Sequence, residues 1–214
     1  MKNLTTLCLS FMITCSGIIT QVSAQSFEGR VAYADKYTSK MGNMNDAQFT
    51  AMMGSSREYI LKGGNYKFVT NGTLLQWQLY INKDNKLYTK MGNSLFVLWN
   101  DASESKDEVL KAEVNKNAAT LLGYACDELV LTCKTGVQKF YFSDKLPMDG
   151  SLFTQHKLAN FYDYISRANA VPLKIIIDNA QFTLESVVVS VKKEPIADTS
   201  FDLPENVKLQ KSSY

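Results

Sequence analysis

The sequence predicts a mostly β protein of the α+β kind. The expected form is a strongly curved antiparallel sheet or incomplete barrel of about ten strands, with one or two helices on its concave side. Three observations carry that prediction. Short alternating apolar runs recur along the chain, separated by Gly, Asn and Asp. One segment alone, 154–168, shows a clear helical period. A sheet so large has to curl, split or close, and its inner face needs a cover.

The elements follow in chain order. Phe27 to Tyr37 forms the first strand, with Phe27, Val31, Tyr33 and Tyr37 on one face. Asn45 or Asp46 caps a short helix carrying Phe49, Met52 and Met53, and Gly54 ends it. Residues 57–100 read as a meander. Its turns fall at Gly63-Gly64, Asn71-Gly72, Asp84-Asn85 and Gly92-Asn93. Residues 100–108 are a polar surface connection, and 109–114 form a weaker strand. Further strands cover Ala119 to Cys133, Val137 to Ser143, Leu173 to Asp178 and Phe182 to Lys192, with a hairpin tip at Lys134-Thr135-Gly136. Between them Leu158, Phe161, Tyr162 and Ile165 fall at i, i+3, i+4 and i+7, one apolar stripe of a helix capped by Thr154. Phe201, Leu203, Val207 and Leu209 mark a tail that pairs at an edge or wraps over the core.

Residues 1–24 stand apart. Lys2 is their one charge, the middle is apolar, and Val22-Ser23-Ala24 suits a cleavage site, which describes a secretory signal peptide. Two rival readings are a lipoprotein acylated at Cys15 and an uncleaved anchor, although Thr, Ser, Asn and Gln dilute the apolar run. Cleavage would leave a single β-rich domain over 25–214, in the periplasm or outside the cell. Its cysteines would be Cys126 and Cys133. They stand seven residues apart in one alternating run, about 23 Å along a strand, whereas bridged Cα atoms lie within about 7 Å. Two free thiols are therefore expected.

Composition narrows the function. Lys plus Arg number 23 against 21 Asp plus Glu, a net charge of +2, which argues against a nucleic-acid surface. One His and four Cys argue against a His/Cys zinc site and a Cys–His nucleophile. No GxSxG elbow, HExxH or Walker-type loop occurs. His156, the single histidine, sits off the apolar stripe and is expected on a solvated helix face. Neighbouring carboxylates Asp127 and Glu128, or Asp107 and Glu108, point to opposite faces of a strand and make no dyad. Asn71-Gly72-Thr73 matches a glycosylation sequon but reads first as a turn. No enzyme, cofactor or metal is expected. Met and aromatic residues gather at the two helical segments, where they either fill the core or line a cavity. The candidate ligand-binding residues are Phe49, Met52, Met53, Leu158, Phe161, Tyr162 and Ile165.

Several segments also resemble a known group. They are Phe27-Glu28-Gly29-Arg30-Val31, Leu122-Gly123-Tyr124-Ala125-Cys126, Asp144-Lys145-Leu146-Pro147, Val171-Pro172-Leu173-Lys174-Ile175 and Phe201-Asp202-Leu203-Pro204-Glu205. Their order resembles that of small exported Gram-negative domains of unknown function. Those in turn are similar to the outer-membrane lipoprotein-carrier and lipoprotein-sorting superfamily. That resemblance implies an incomplete barrel with helices at its hollow side, and a non-enzymatic secreted protein holding a lipid, acyl chain or lipidated protein. The alternative is a periplasmic structural or protein-interaction module without a small ligand. The expected partners are a lipid or lipoprotein, or an envelope protein. Nucleic acid is not expected, and membrane contact is expected only transiently or through Cys15 lipidation.

Overall fold

A computed structural model describes residues 26–213. The signal peptide expected at 1–24, with Cys8 and Cys15, and the mature start expected at Gln25 lie outside the described residues. The described residues are mostly β, with two α-helices and one twelve-stranded sheet that does not close. The central strand β1 (Gly29–Ser39) pairs antiparallel with β2 (Ser56–Lys62) on one side and β11 (Phe182–Lys193) on the other. From β2 the chain steps outward through β3 (Asn65–Thr70), β4 (Leu75–Ile81), β5 (Lys86–Met91) and β6 (Phe96–Asp101). It then crosses to the far edge, β7 (Val109–Leu121). From there it steps back through β8 (Tyr124–Cys133), β9 (Gly136–Pro147) and β10 (Ala170–Asn179) to β11. The tail adds β12 (Lys208–Lys211), which runs parallel to β6.

This order forces curvature. Strands β6 and β7 stand ten places apart in the sheet, about 48 Å if it were flat at the usual strand spacing. Residues 102–108 join them and reach at most about 28 Å when fully extended. The two arms must therefore curl toward each other. Ala102, at the start of that connection, is fully buried, and its carbonyl accepts from the Lys157 and Leu158 amides at 2.6 and 3.0 Å.

The turns are set by residues that tolerate positive φ. Gly63 (φ 54°) closes the β2–β3 hairpin, where Lys62 pairs Asn65. Leu122 (φ 47°) and Gly123 (φ 82°) close β7 on β8, where Leu121 pairs Tyr124. The strand expected from Ala119 to Cys133 therefore breaks here, its first residues joining the 109–114 run in β7, and the sheet has twelve strands where about ten were expected. Asn71 lies in the β3–β4 connection. Its carbonyl oxygen accepts from the Ser55 and Ser56 amides, so the sequon asparagine works here as a turn residue.

The arm β2–β5 buries both faces. Leu61, Tyr66, Tyr80 and Leu87 join the main core, whereas Ile60, Leu79 and Tyr88, offset by one residue, join a second core with Val97, Ile196 and Phe201. The tail covers this second core and also supplies the edge strand β12. Lys62 holds the tail through Asp198 at 2.7 Å, and Arg30 through Glu194 at 2.7 Å.

Helix α1 (Asp46–Met53) starts with a capping box between Asn45 and Gln48. Phe49 packs on Tyr37 and Phe182, with ring centroids 5.2 and 5.1 Å away. Helix α2 (Phe161–Ala168) is shorter than the stripe over 154–168 predicted. Ala159 and Asn160 both take left-handed backbone (φ 54° and 61°), which breaks the helix before Phe161. Residues 154–155 form a turn, 156–157 are irregular, and Thr154 caps no α-helix. No helix among the described residues is long and apolar enough to cross a membrane.

The tail core gives a first test. Phe201→Ala removes a buried ring that clamps the tail onto β3 and β4. It should cost about 3–5 kcal/mol, read as a lower urea midpoint. Full-length stability equal to wild type would show that the tail is not part of the folded unit.

Candidate functional site

The curled arms enclose a cavity of about 310 Å³, at the small end of ligand pockets. Its walls come from both arms and from the segment that bridges them. Strands β2 and β3 supply Tyr59, Leu61, Tyr66 and Phe68. From β9, β10 and β11 come Phe140, Ile175, Ile177 and Leu184. Leu158, Ala159, Phe161 and Tyr164 cover it. Phe161 stacks on Tyr66 at 5.3 Å and Tyr164 on Phe140 at 4.3 Å, so α2 ties the two arms together above the cavity. Ala159 is exposed, and the cavity reaches the surface beside it.

Besides Gln78, whose Nε2 donates to Thr89 Oγ1 at 3.1 Å, four polar groups interrupt this apolar lining or lie just behind it. Arg57 points inward from β2, its guanidinium 5.6–6.0 Å from the ring centres of Tyr33, Tyr59 and Phe68. Its Nη2 donates to Asp35 Oδ1 at 3.0 Å, and both side chains are buried, 11% and 2% exposed. Its Nε is buried with no partner. Gln138 on β9 lines the same cavity, and its Oε1 is buried without a partner. Ser186, opposite Asp35 in the β1–β11 register, is fully buried with an unpartnered Oγ. Burial pushes the Tyr33 and Tyr59 hydroxyls up, which keeps both protonated and uncharged at neutral pH.

His156 is the fourth polar group and corrects the sequence reading. It is buried, 1% exposed, rather than solvated on a helix face. The turn before Ala159 carries it inward, among the rings of Tyr80 (4.2 Å), Phe161 (4.5 Å) and Tyr66 (5.8 Å). Its Nε2 shares a 2.8 Å hydrogen bond with the Tyr66 hydroxyl, and its Nδ1 has no partner. Burial pushes its pKa down to about 3, so the ring is neutral.

The candidate ligand residues separate into two groups. Leu158 and Phe161 line the cavity. Ile165 is fully buried in the main core, and Tyr162 packs beside it under the Lys157 ammonium, 3.8 Å from its ring centre. Phe49 and Met53 belong instead to a small core with Tyr37, Leu184 and Phe182, and half-buried Met52 lies on the same helix. None of these three lines the cavity. Sequence reasoning missed Arg57, Gln138 and the tyrosines. Arg57 and Tyr59 share a parity in β2, so a charge sits on the strand's inward face, and that was the available signal.

The remaining chemistry is already occupied. Asp127 accepts from Lys116 at 2.6 Å, and Glu128 from Tyr141 at 2.6 Å and Asn115 at 2.7 Å. Cys126 and Cys133 are buried free thiols, and burial pushes Cys133 up to about 11, away from thiolate reactivity. Among the described residues no group of three or more His, Cys, Asp or Glu is placed to hold a metal ion.

No protein-family model matches the chain, and no curated protein matches it. Solved structures of PNGF-II are similar in shape. The P21 crystal form gives a TM-score of 0.48 at 12% identity, over 87% of this chain and 32% of that one. The C2 form gives 0.47 at 14% identity, over 87% and 31%. The chain thus spans about a third of the length of the structures it matches.

Two outcomes test this geometry. The unfolded chain binds a proton at His156 near pH 6.5, whereas the folded chain does so only near pH 3, so acid favours unfolding between those values. Urea unfolding between pH 7.5 and 5 should show a loss of about 1.4 kcal/mol per unit below pH 6.5. His156→Phe should flatten that slope, and an unchanged slope would contradict a buried neutral ring. Separately, Ala159 bears left-handed strain of roughly 1 kcal/mol. Ala159→Gly should therefore raise the urea midpoint, and a lowered one would mean the left-handed turn is wrong.

Proposed function

We propose that this chain is a secreted, non-enzymatic binding protein that holds a small hydrophobic ligand between the two arms of its sheet. The single observation that carries the reading is the cavity lined by Tyr59, Leu61, Phe140, Ile175 and Phe161. A pocket of this size with mostly apolar walls and a few polar groups is what a ligand site looks like, whereas a filled core leaves voids no larger than a water. On this reading the sheet is an incomplete barrel, with α2 spanning its concave side. The volume bears on what fits. About 310 Å³ is room for one small molecule rather than for several long chains. A single short chain suits it, and a multiply acylated protein anchor does not. Export rests on residues 1–24 alone.

A second reading, a module that recognises another protein, is favoured by one observation. Edge strand β7 is thirteen residues long and exposed along most of its length, with Leu110 and Val114 in the open.

The neutral fluorophore N-phenyl-1-naphthylamine tests the first reading. It should brighten on binding the purified protein with one-to-one stoichiometry. Ile177→Phe places a larger side chain into the cavity, and should weaken that binding at least about tenfold with a stability change of at most about 1–3 kcal/mol. Binding untouched by Ile177→Phe would place the probe elsewhere, and no binding at all would remove the reading.

A further inference from the structure

The cavity is apolar in area, but its unpaired atoms are specific. A buried polar group without a partner is costly, and native proteins keep few of them. Among the described residues four buried side-chain atoms lack a partner, and three of them belong to residues lining this one cavity: Arg57 Nε, Gln138 Oε1 and His156 Nδ1. Arg57 Nε is a donor and needs an acceptor. Gln138 Oε1 is an acceptor and needs a donor. The charge at the site is already balanced, because Asp35 sits 3.0 Å from the Arg57 guanidinium and both are buried. An anionic head entering beside that pair would leave one uncompensated negative charge in a low-dielectric site, which is strongly unfavourable. An uncharged ligand with one acceptor and one donor would satisfy both orphans without adding charge.

We infer that the occupant is an uncharged, single-chain amphiphile whose head carries both an acceptor and a donor, as a primary amide or alcohol does. It is seated with the head toward Arg57 and Gln138 and the chain against the aromatic and aliphatic walls. The acceptor of the head takes the Arg57 Nε–H, and its N–H or O–H donates to Gln138 Oε1. The tail runs past Phe140, Ile175 and Phe161. This inference rests on the ligand-binding reading above and names the chemical class that site selects.

The experiment compares three compounds built on a decanoyl chain in displacing N-phenyl-1-naphthylamine at pH 8. Decanamide offers acceptor and donor, methyl decanoate offers acceptors alone, and decanoate is an anion. Decanamide should displace the probe at a concentration about tenfold below either of the others. Gln138→Leu should bring decanamide to the level of the ester, and should also raise the urea midpoint of the free protein because it removes an unsatisfied acceptor. Arg57→Lys keeps a cation beside Asp35 but loses the Nε–H. It should weaken amide and ester alike by about tenfold relative to the probe's own affinity for the variant. Decanoate equal to or better than decanamide would overturn the inference in favour of an anionic ligand class. Three equal compounds, unchanged in both variants, would overturn head-group recognition while leaving the hydrophobic-ligand reading in place. Failure of the probe itself to bind would remove that reading and this inference together.

Discussion

The bridge that α2 makes between the arms governs the rest of the structure. Phe161 rests on Tyr66 of β3 and Tyr164 on Phe140 of β9, strands that do not pair with each other. Offset aromatic contacts add about 0.5–1.5 kcal/mol each beyond the area they bury. Their importance here is geometric, because they hold the arms at a fixed separation. A twelve-stranded sheet drawn together by a seven-residue connection would otherwise collapse its inner faces onto one another. With α2 and the turn before it propped between them, space is left, and that space is the cavity.

The polar groups at the site then have a consistent account. His156 is neutral, hydrogen-bonded on one nitrogen and sandwiched among rings, so it behaves as an aromatic with one polar handle rather than as a proton carrier. Arg57 is neutralised by Asp35 and flanked by three aromatic faces that stabilise a cation without solvating it fully. A core evolved for stability alone would replace Gln138 with an aliphatic residue. Gln138 instead keeps a buried oxygen without a partner, a cost in stability that the proposed ligand site accounts for.

Much of this was legible in the sequence, and the exceptions are physical. The first strand's inward residues Phe27, Val31, Tyr33 and Tyr37 are all buried, because a two-residue period with one buried face is hard to disguise. The Asn45 cap and the Gly63-Gly64 turn were equally plain, since each rests on a local backbone requirement. The region 154–160 was not. An apolar stripe at helical spacing extends through it, but Asn160 is buried, hydrogen-bonded to Ser105 and to Cys133 Sγ, and those distant partners hold it in a left-handed conformation. That override carried His156 from the expected solvent face into the interior. The cavity was invisible for a similar reason. Arg57, Gln138 and His156 are 81 and 18 residues apart in the chain, and only the curling of the sheet brings them around one space.

The position of β1 has a consequence for the order in which this molecule can assemble. The first strand in the chain is also the seam between the two meanders, bonded to β2 on one side and to β11 on the other. Gly29 lies opposite Lys193, so the seam closes only when nearly the whole chain is present. Hairpins β2 to β6 can form early from neighbouring residues, but the two halves stay unjoined until β11 arrives. Such long-range pairing makes folding slow compared with locally wired domains. A growing chain therefore keeps an open, unsealed sheet edge until its last fifth has emerged.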